Sequence, residues 1–351
     1  MRPLFQSQRR RSTQFLRPAQ IGALLGAILS IATPAAATDC WRDLSHTRAA
    51  GDSMRANCTT PACATIVPGP ASCPADALTP ALTALRNADK TAPTIVLLGE
   101  VHDNPHHHRL RAALIADAAN ASATPVVEHL PVTLQPAVDE FYAKSTPGTA
   151  DPAAFFDAVT WSKLGWPDAS MFAPLYGRLL RQTSPIVAAD VPKDRIRKLA
   201  RREPAALDDA ERKRLRLDEP FPEPLQNDLL TELEASHCGL MPKTAFTGMA
   251  TAQNYRDAHI AAAALAAARK SGTAIVIAGN GHVRRDRAIP YYIRLLAPEA
   301  RVMTVALLEE GNEHELANAA NRYDLAIITP AATRPDPCEE MRKMRSKSPK
   351  N

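Results

Sequence analysis

Six short apolar runs limit what this chain can fold into: 94-TIVLLG-99, 125-PVVEHL-130, 185-PIVAAD-190, 273-TAIVIAG-279, 302-VMTVALL-308 and 324-DLAIIT-329. Their length, apolar character and polar or Gly boundaries mark strands buried on both faces. Between most of them lie stretches with helical spacing, such as 108-HRLRAALIADAA-119 and 252-AQNYRDAHIAAAALAAARK-270. Strands alternating with helices predict an α/β fold: a mainly parallel central sheet, helices on both faces and a helical cap or subdomain. The cap is assigned to approximately 191–270, an interval too long for a single crossover. It opens with the charged stretch 193-KDRIRKLARREPAALDDAERKRLRLDEP-220, read as solvated helices.

The flanks differ from this core. Arg2, Arg9, Arg10, Arg11 and Arg17 precede the apolar run 21-IGALLGAILSIA-32 and the small residues 33-TPAAAT-38. That order reads as a secretory signal over 1–37, with an apolar stretch too short for a stable membrane anchor. Export to the periplasm as a soluble protein is the expectation. The five arginines match the formal charge of +5, and residues 1–37 hold no Lys, Asp or Glu. The mature chain is therefore about neutral, which removes the electrostatic case for nucleic acid. Cys40, Cys58, Cys63, Cys73, Cys238 and Cys338 form an even set. In an exported chain without C-x-x-C or C-x-x-C-H, disulfides are favoured over a metal or haem-attachment site, with connectivity unreadable. Four of these cysteines lie in a Pro- and Ala-rich extension at 38–90, ahead of a main domain at 91–330 and a basic tail at 331–351.

In parallel α/β sheets, ligands sit at the carboxyl ends of the strands. Ionisable groups fall there: Glu100 and His102, Glu128 and His129, Asp190, and His282. Glu100, His102, Glu128 and His282 form a mixed nitrogen and oxygen set that suits Zn, Mn or Fe, and equally a metal-free acid/base pair. The rival is a structural hydrogen-bond cluster that pins the loops. Asn104 suits an N-cap and Pro105 the first helical position, so a helix should begin at Pro105. His106, His107 and His108 would then point about 100° apart around its first turn. The helix dipole disfavours imidazolium there, leaving neutral rings able to coordinate or hydrogen-bond. His106 reads as a surface residue. The glycines of 279-GNG-281 would let backbone approach a ligand, and Arg284 is a candidate partner for a carboxylate or phosphate.

The strings 98-LGEVHDNPHHH-108, 126-VVEHL-130, 253-QNYRDAHIA-261 and 277-IAGNGHVRRDRAIP-290 resemble the ChaN-like haem-binding proteins of the Tiki superfamily, over roughly residues 91–310. The resemblance implies a cleft at the strand ends around Glu100, His102, Asp103, Asn104, His107, His108, Glu128, Gln253, Arg256, Asp257 and His282. It also implies haem as ligand, a homodimer, haem-uptake membrane machinery as partner, and tyrosine ligation of iron. Within 166-WPDASMFAPLY-176 this chain has Phe172 where relatives often have Tyr, and Tyr176, one helical turn on, is the substitute. Haem needs an apolar slot, an axial Tyr or His, and cations for its propionates. The alanine-rich 258-AHIAAAALAAARK-270 reads as a core helix or as a wall of that slot, and His237 is a second ligand candidate. The alternative function is a metal-assisted hydrolase, with Glu100 or Glu128 as general base and His102 and His282 as metal ligands or acid/base partners. The sequence has no G-x-S-x-G elbow or H-E-x-x-H helix.

Overall fold

All six apolar runs form strands. The computed structural model describes residues 41–43 and 92–347, apart from 118–122, 147–148, 183 and 204–205. The secretory signal, Cys40, Cys58, Cys63, Cys73 and the last four residues lie outside the described residues.

In chain order the first elements are β1 (Trp41–Asp43), β2 (Thr94–Leu98), α1 (Pro105–Asp117), β3 (Thr124–Pro131), α2 (Gln135–Lys144), α3 (Pro152–Ala158), α4 (Ala169–Leu179) and β4 (Val187–Asp190). Then come α5 (Lys193–Ala200), α6 (Asp209–Arg214), α7 (Glu223–Ser236) and the long α8 (Lys243–Ser271). The chain ends through β5 (Thr273–Ile277), α9 (Ala288–Leu296), β6 (Arg301–Glu309), α10 (Glu313–Arg322), β7 (Leu325–Thr329) and α11 (Pro337–Lys347). Asn104 caps α1 as expected, its Oδ1 accepting the His106 amide at 2.9 Å.

The strand order is β1-β7-β6-β2-β5-β3-β4. From β7 to β4 every neighbouring pair is parallel, while β1 runs antiparallel to β7. The chain thus reverses direction around β2 and β5, where an open α/β sheet leaves a crevice between diverging loops. Part of the extension assigned to 38–90 joins the sheet edge as β1, a three-residue pairing too short to show a pattern in sequence.

Two apolar layers sandwich the sheet. Ile95, Leu97, Val126 and Val276 pack with α8, α9 and α10, and Val96, Leu98, Val127 and Ile277 pack with α1 and α4. The alanines settle their role here: Ala258, Ala261, Ala264 and Ala268 are buried in the first layer, so α8 is a core helix along its second half. Small side chains let a helix approach closely, and the cap expected at 191–270 is reduced accordingly. An ideal Cβ on Gly248 would lie 1.9 Å from the Ala200 carbonyl oxygen, where α5 ends against α8. Backbone cannot swing aside as a side chain does. Gly248→Ala is expected to cost about 1–3 kcal/mol through overpacking. Its urea midpoint should fall, and a midpoint equal to wild type would show that the two helices part freely.

The basic tail at 331–351 is tied to the main domain. Arg334 reaches Glu309 at 2.6 Å and Asp103 at 2.8 Å, and α11 follows. The Cys238 and Cys338 sulfurs stand 1.96 Å apart, joining the α7–α8 connection to the start of α11. Charge and sulfur contacts hold this segment instead of an apolar face, which is why hydrophobic periodicity does not reveal it. No helix among the described residues is long and apolar enough to cross a membrane.

Candidate functional site

Side chains alternate across a strand, so the sheet's carboxyl end divides its polar groups between two faces. Val127 and His129 of β3 face α4, while Val126 and Glu128 face α8. The site is accordingly built in two halves.

Glu100 centres the first half. Its Oε1 accepts from His102 Nδ1 at 2.7 Å and from His129 Nε2 at 2.7 Å. The Arg111 guanidinium, carried by α1, pairs with Oε2. Arg111 also donates to His108 Nδ1 at 2.9 Å, and His108 Nε2 donates to the His102 carbonyl at 2.9 Å. The Tyr176 hydroxyl closes the chain by donating to His129 Nδ1 at 3.2 Å.

Glu128 centres the second half. It accepts from Arg256 at 2.8 Å and from the Gly279 amide at 2.7 Å, with His282 Nε2 at 3.1 Å. His282 Nδ1 donates to Asp257 at 2.5 Å, Gln253 lies 3.2 Å from the same ring, and Arg256 grips Asp190 at 2.8 and 2.9 Å. His102 bridges the halves. A Cβ added at Gly279 would lie 2.9 Å from His102 Nε2 and 3.7 Å from Glu128 Oε2, so only glycine lets the backbone after β5 approach the ring this closely.

Burial and charge together set the protonation states. Burial would raise the Glu128 carboxyl, but His282 and Arg256 outweigh it and hold the group well below its usual range. Burial would lower His282, yet Glu128 and Asp257 push it up to about 10, so it is an imidazolium donating from both nitrogens. Burial lowers His102, with Glu128 opposing, and lowers His108 to about 4 and His107 to about 3. Burial, aided by Arg111, drives His129 well down. Burial also raises the Tyr176 hydroxyl well above its usual value.

Glu100, His102 and His129 place ligand atoms within 4.8 Å of one another. A divalent ion would have to displace two ring N–H donors and sit beside the Arg111 cation, so these groups fit a closed hydrogen-bond cluster better than a metal cage. The metal set expected from sequence, Glu100, His102, Glu128 and His282, is shared between the two halves.

The structure brings together Glu100, His102, Glu128, Gln253, Arg256, Asp257 and His282, and His108 supports them from beneath. Other expected residues lie elsewhere. His107 accepts from the Val101 amide at 2.8 Å and meets Thr329 at 2.8 Å, fully buried under the loop. Asp103 faces Arg334 at 2.8 Å. Asn104 is consumed by its cap and by Glu309 at 2.7 Å. Arg284 is committed to Asp228, Glu232 and Asp286 beside a hollow of about 160 Å³ lined also by Asn280, Glu309 and Tyr323, too small and too charged for a macrocycle. Tyr176 is wholly buried among Phe155, Phe156 and Trp161, because its helical face is the core face. His237 bonds back to Leu233 of its own helix at 2.7 Å. Sequence reasoning left out Arg111, named His129 only as an ionisable group at a strand end without giving it a role, and left out Trp166. The spacing of His108 and Arg111, three apart on one helix, was the available signal for the first. Strand alternation was the signal for the second; the Trp166 loop carried none.

No curated protein matches the chain. The ChaN structure titled cofacial heme binding, from Campylobacter jejuni, is 17% identical over 71% of this chain and 90% of its own, with a TM-score of 0.54, which shows a shared fold. The type III effector HopBA1 (14% identical, 72% and 94% covered, TM-score 0.36) and the erythromycin esterase mutant EreC (16%, 76% and 81%, 0.35) are more distant. The profile of the haem-binding uptake proteins, Tiki superfamily, ChaN, matches residues 88–293, the stretch that contains both halves of the site, and the chain belongs to that family.

Proposed function

We propose that this chain is an exported protein that holds haem as cargo at the carboxyl ends of β2 to β5 and serves haem or iron acquisition outside the cytoplasm. The observation that carries this reading is the convergence of four separate loops on one network that leaves His102 as its exposed member. Its side chain is 35% accessible, against 7% or less for Glu100, Glu128 and His282.

The residues at hand suit a macrocycle. Trp166 stands 4.7 Å from the His102 ring and is fixed by donating its indole N–H to the His129 carbonyl at 2.7 Å. An immobilised indole offers an apolar face at little entropic cost. The exposed Lys193, which reaches the Leu164 carbonyl beside this segment, supplies a cation for a propionate. A second copy and membrane uptake machinery are the partners this reading calls for. The hydrolase alternative fares less well, because Glu100 is held by His102, His129 and the Arg111 cation and Glu128 by Arg256 and the Gly279 amide, which leaves both poorly placed to take a proton from water.

Titration of the full chain with haemin is expected to give a saturable Soret shift near one haem per chain. A spectrum that only adds free haemin at every ratio would end this proposal.

A further inference from the structure

We propose that His102 is this chain's axial ligand to haem iron, through Nε2, with Glu100 as the carboxylate that orients the ring. The assignment rests on the haem-binding reading above and departs from tyrosine ligation.

Six imidazoles lie in residues 101–108 or in the networks of Glu100 and Glu128; His106, in the first turn of α1, belongs to neither network, and its Nδ1 faces Arg109 at 3.0 Å. Four are buried with both ring nitrogens engaged: His107 by Val101 and Thr329, His108 by His102 and Arg111, His129 by Glu100 and Tyr176, His282 by Glu128 and Asp257. His102 differs on both counts. Its side chain is 35% exposed, and the ring's only hydrogen bond among the described residues runs from Nδ1 to Glu100 at 2.7 Å. An ionised carboxylate only accepts, so the proton resides on Nδ1 and Nε2 keeps its lone pair. That is the tautomer of a ligating imidazole whose other nitrogen donates to a carboxylate, an arrangement that fixes the ring and raises its basicity.

The support behind His102 is rigid before any ligand arrives. Glu100 is held by Arg111 and His129, and the His102 carbonyl by His108. The backbone of Gly279 packs against the Nε2–Cε1 edge of the ring, an approach that a side chain there would block at 2.9 and 3.1 Å. Trp166 lies against the same ring at 4.7 Å. Tyr176 cannot take this role as it stands: its hydroxyl is spent on His129 and none of its ring is exposed.

The test loads the full chain with haemin and records absorbance, ferric electron paramagnetic resonance and resonance Raman spectra. Wild type is expected to lack iron–phenolate bands. His102→Ala should bind at least about tenfold more weakly with a displaced Soret band, and added imidazole should restore the wild-type spectrum. His259→Ala, which alters a partly exposed histidine outside both networks, should match wild type. Iron–phenolate bands in wild type, or an unchanged spectrum and affinity in a His102→Ala protein of native circular dichroism, would overturn the ligand assignment while leaving haem binding intact. Wild type that binds no haem would remove both readings at once. The Raman spectrum of wild type needs no variant, so it tests the ligand even where His102→Ala fails to fold.

Discussion

Arg111→Ala is expected to lower stability by about 3–5 kcal/mol, because it strands a buried carboxylate. Among the described residues Arg111 is the largest side chain with no exposure, and its guanidinium is the cation that faces Glu100 in the first half of the site. Without it Glu100 keeps only the neutral donors His102 and His129. His108 Nδ1 loses its donor as well. Two guanidinium nitrogens, Nε and Nη1, find no hydrogen-bond partner among the described residues, and burial lowers the group to about 9. A pair with unsatisfied nitrogens in the core is poorly explained by stability alone, whereas it does orient the carboxylate behind His102. A double variant separates the loss of charge from the loss of volume. Arg111→Met with Glu100→Gln should recover much of the stability, since no charge is then left unpaired. Urea denaturation followed by circular dichroism measures both. A single variant within about 0.5 kcal/mol of wild type would show that the ion pair contributes nothing.

Stability should peak near pH 6.5 and fall on both sides, and histidines of the same region dominate both flanks. His107 and His108 are held neutral in the fold, at about 3 and about 4 against an ordinary value of 6.5. Below pH 6.5 the unfolded chain takes up protons that the fold refuses, so stability drops as pH falls from 6.5 towards 4 and 3. His129 adds in the same direction, and so does Glu128 below its ordinary value, while the raised carboxyl of Asp257 partly offsets them. Each group contributes on the order of 1 kcal/mol per pH unit, which makes the acid loss several kcal/mol. His282 works on the other flank. Its folded value of about 10 means its contribution is complete below pH 6.5 and is lost as pH rises towards 10. Thermal midpoints measured from pH 4 to 10 test the profile. His282→Gln should flatten the alkaline flank and spare the acid one; a wild-type midpoint unchanged between pH 6.5 and 4 would contradict the neutral burial of His107 and His108.

The sequence carried the local decisions well. All six strands, the start of α1 at Pro105 and its Asn104 cap follow from apolar runs and capping chemistry that act over a few residues. The meeting of Glu100, His102, Glu128 and His282 at one end of the sheet was also legible, because parallel strands deliver their next residues to a common edge. What each of those residues does there was not. Whether His108 or His107 serves the site depends on which neighbour each ring meets after the helix has docked, and 100° of rotation puts one beside Arg111 and the other beneath Thr329. Tyr176 shares a helical face with Phe172, yet that face turned inward, and only packing against Trp161 and Phe155 decides this.

By itself, then, the chain's residue order determined an α/β sheet with acids and imidazoles at its carboxyl end. The tertiary structure decided which nitrogen stays free. Hydrogen bonds between residues dozens or hundreds of positions apart satisfied every imidazole of the two networks but one, and no local pattern encodes which lone pair is left over.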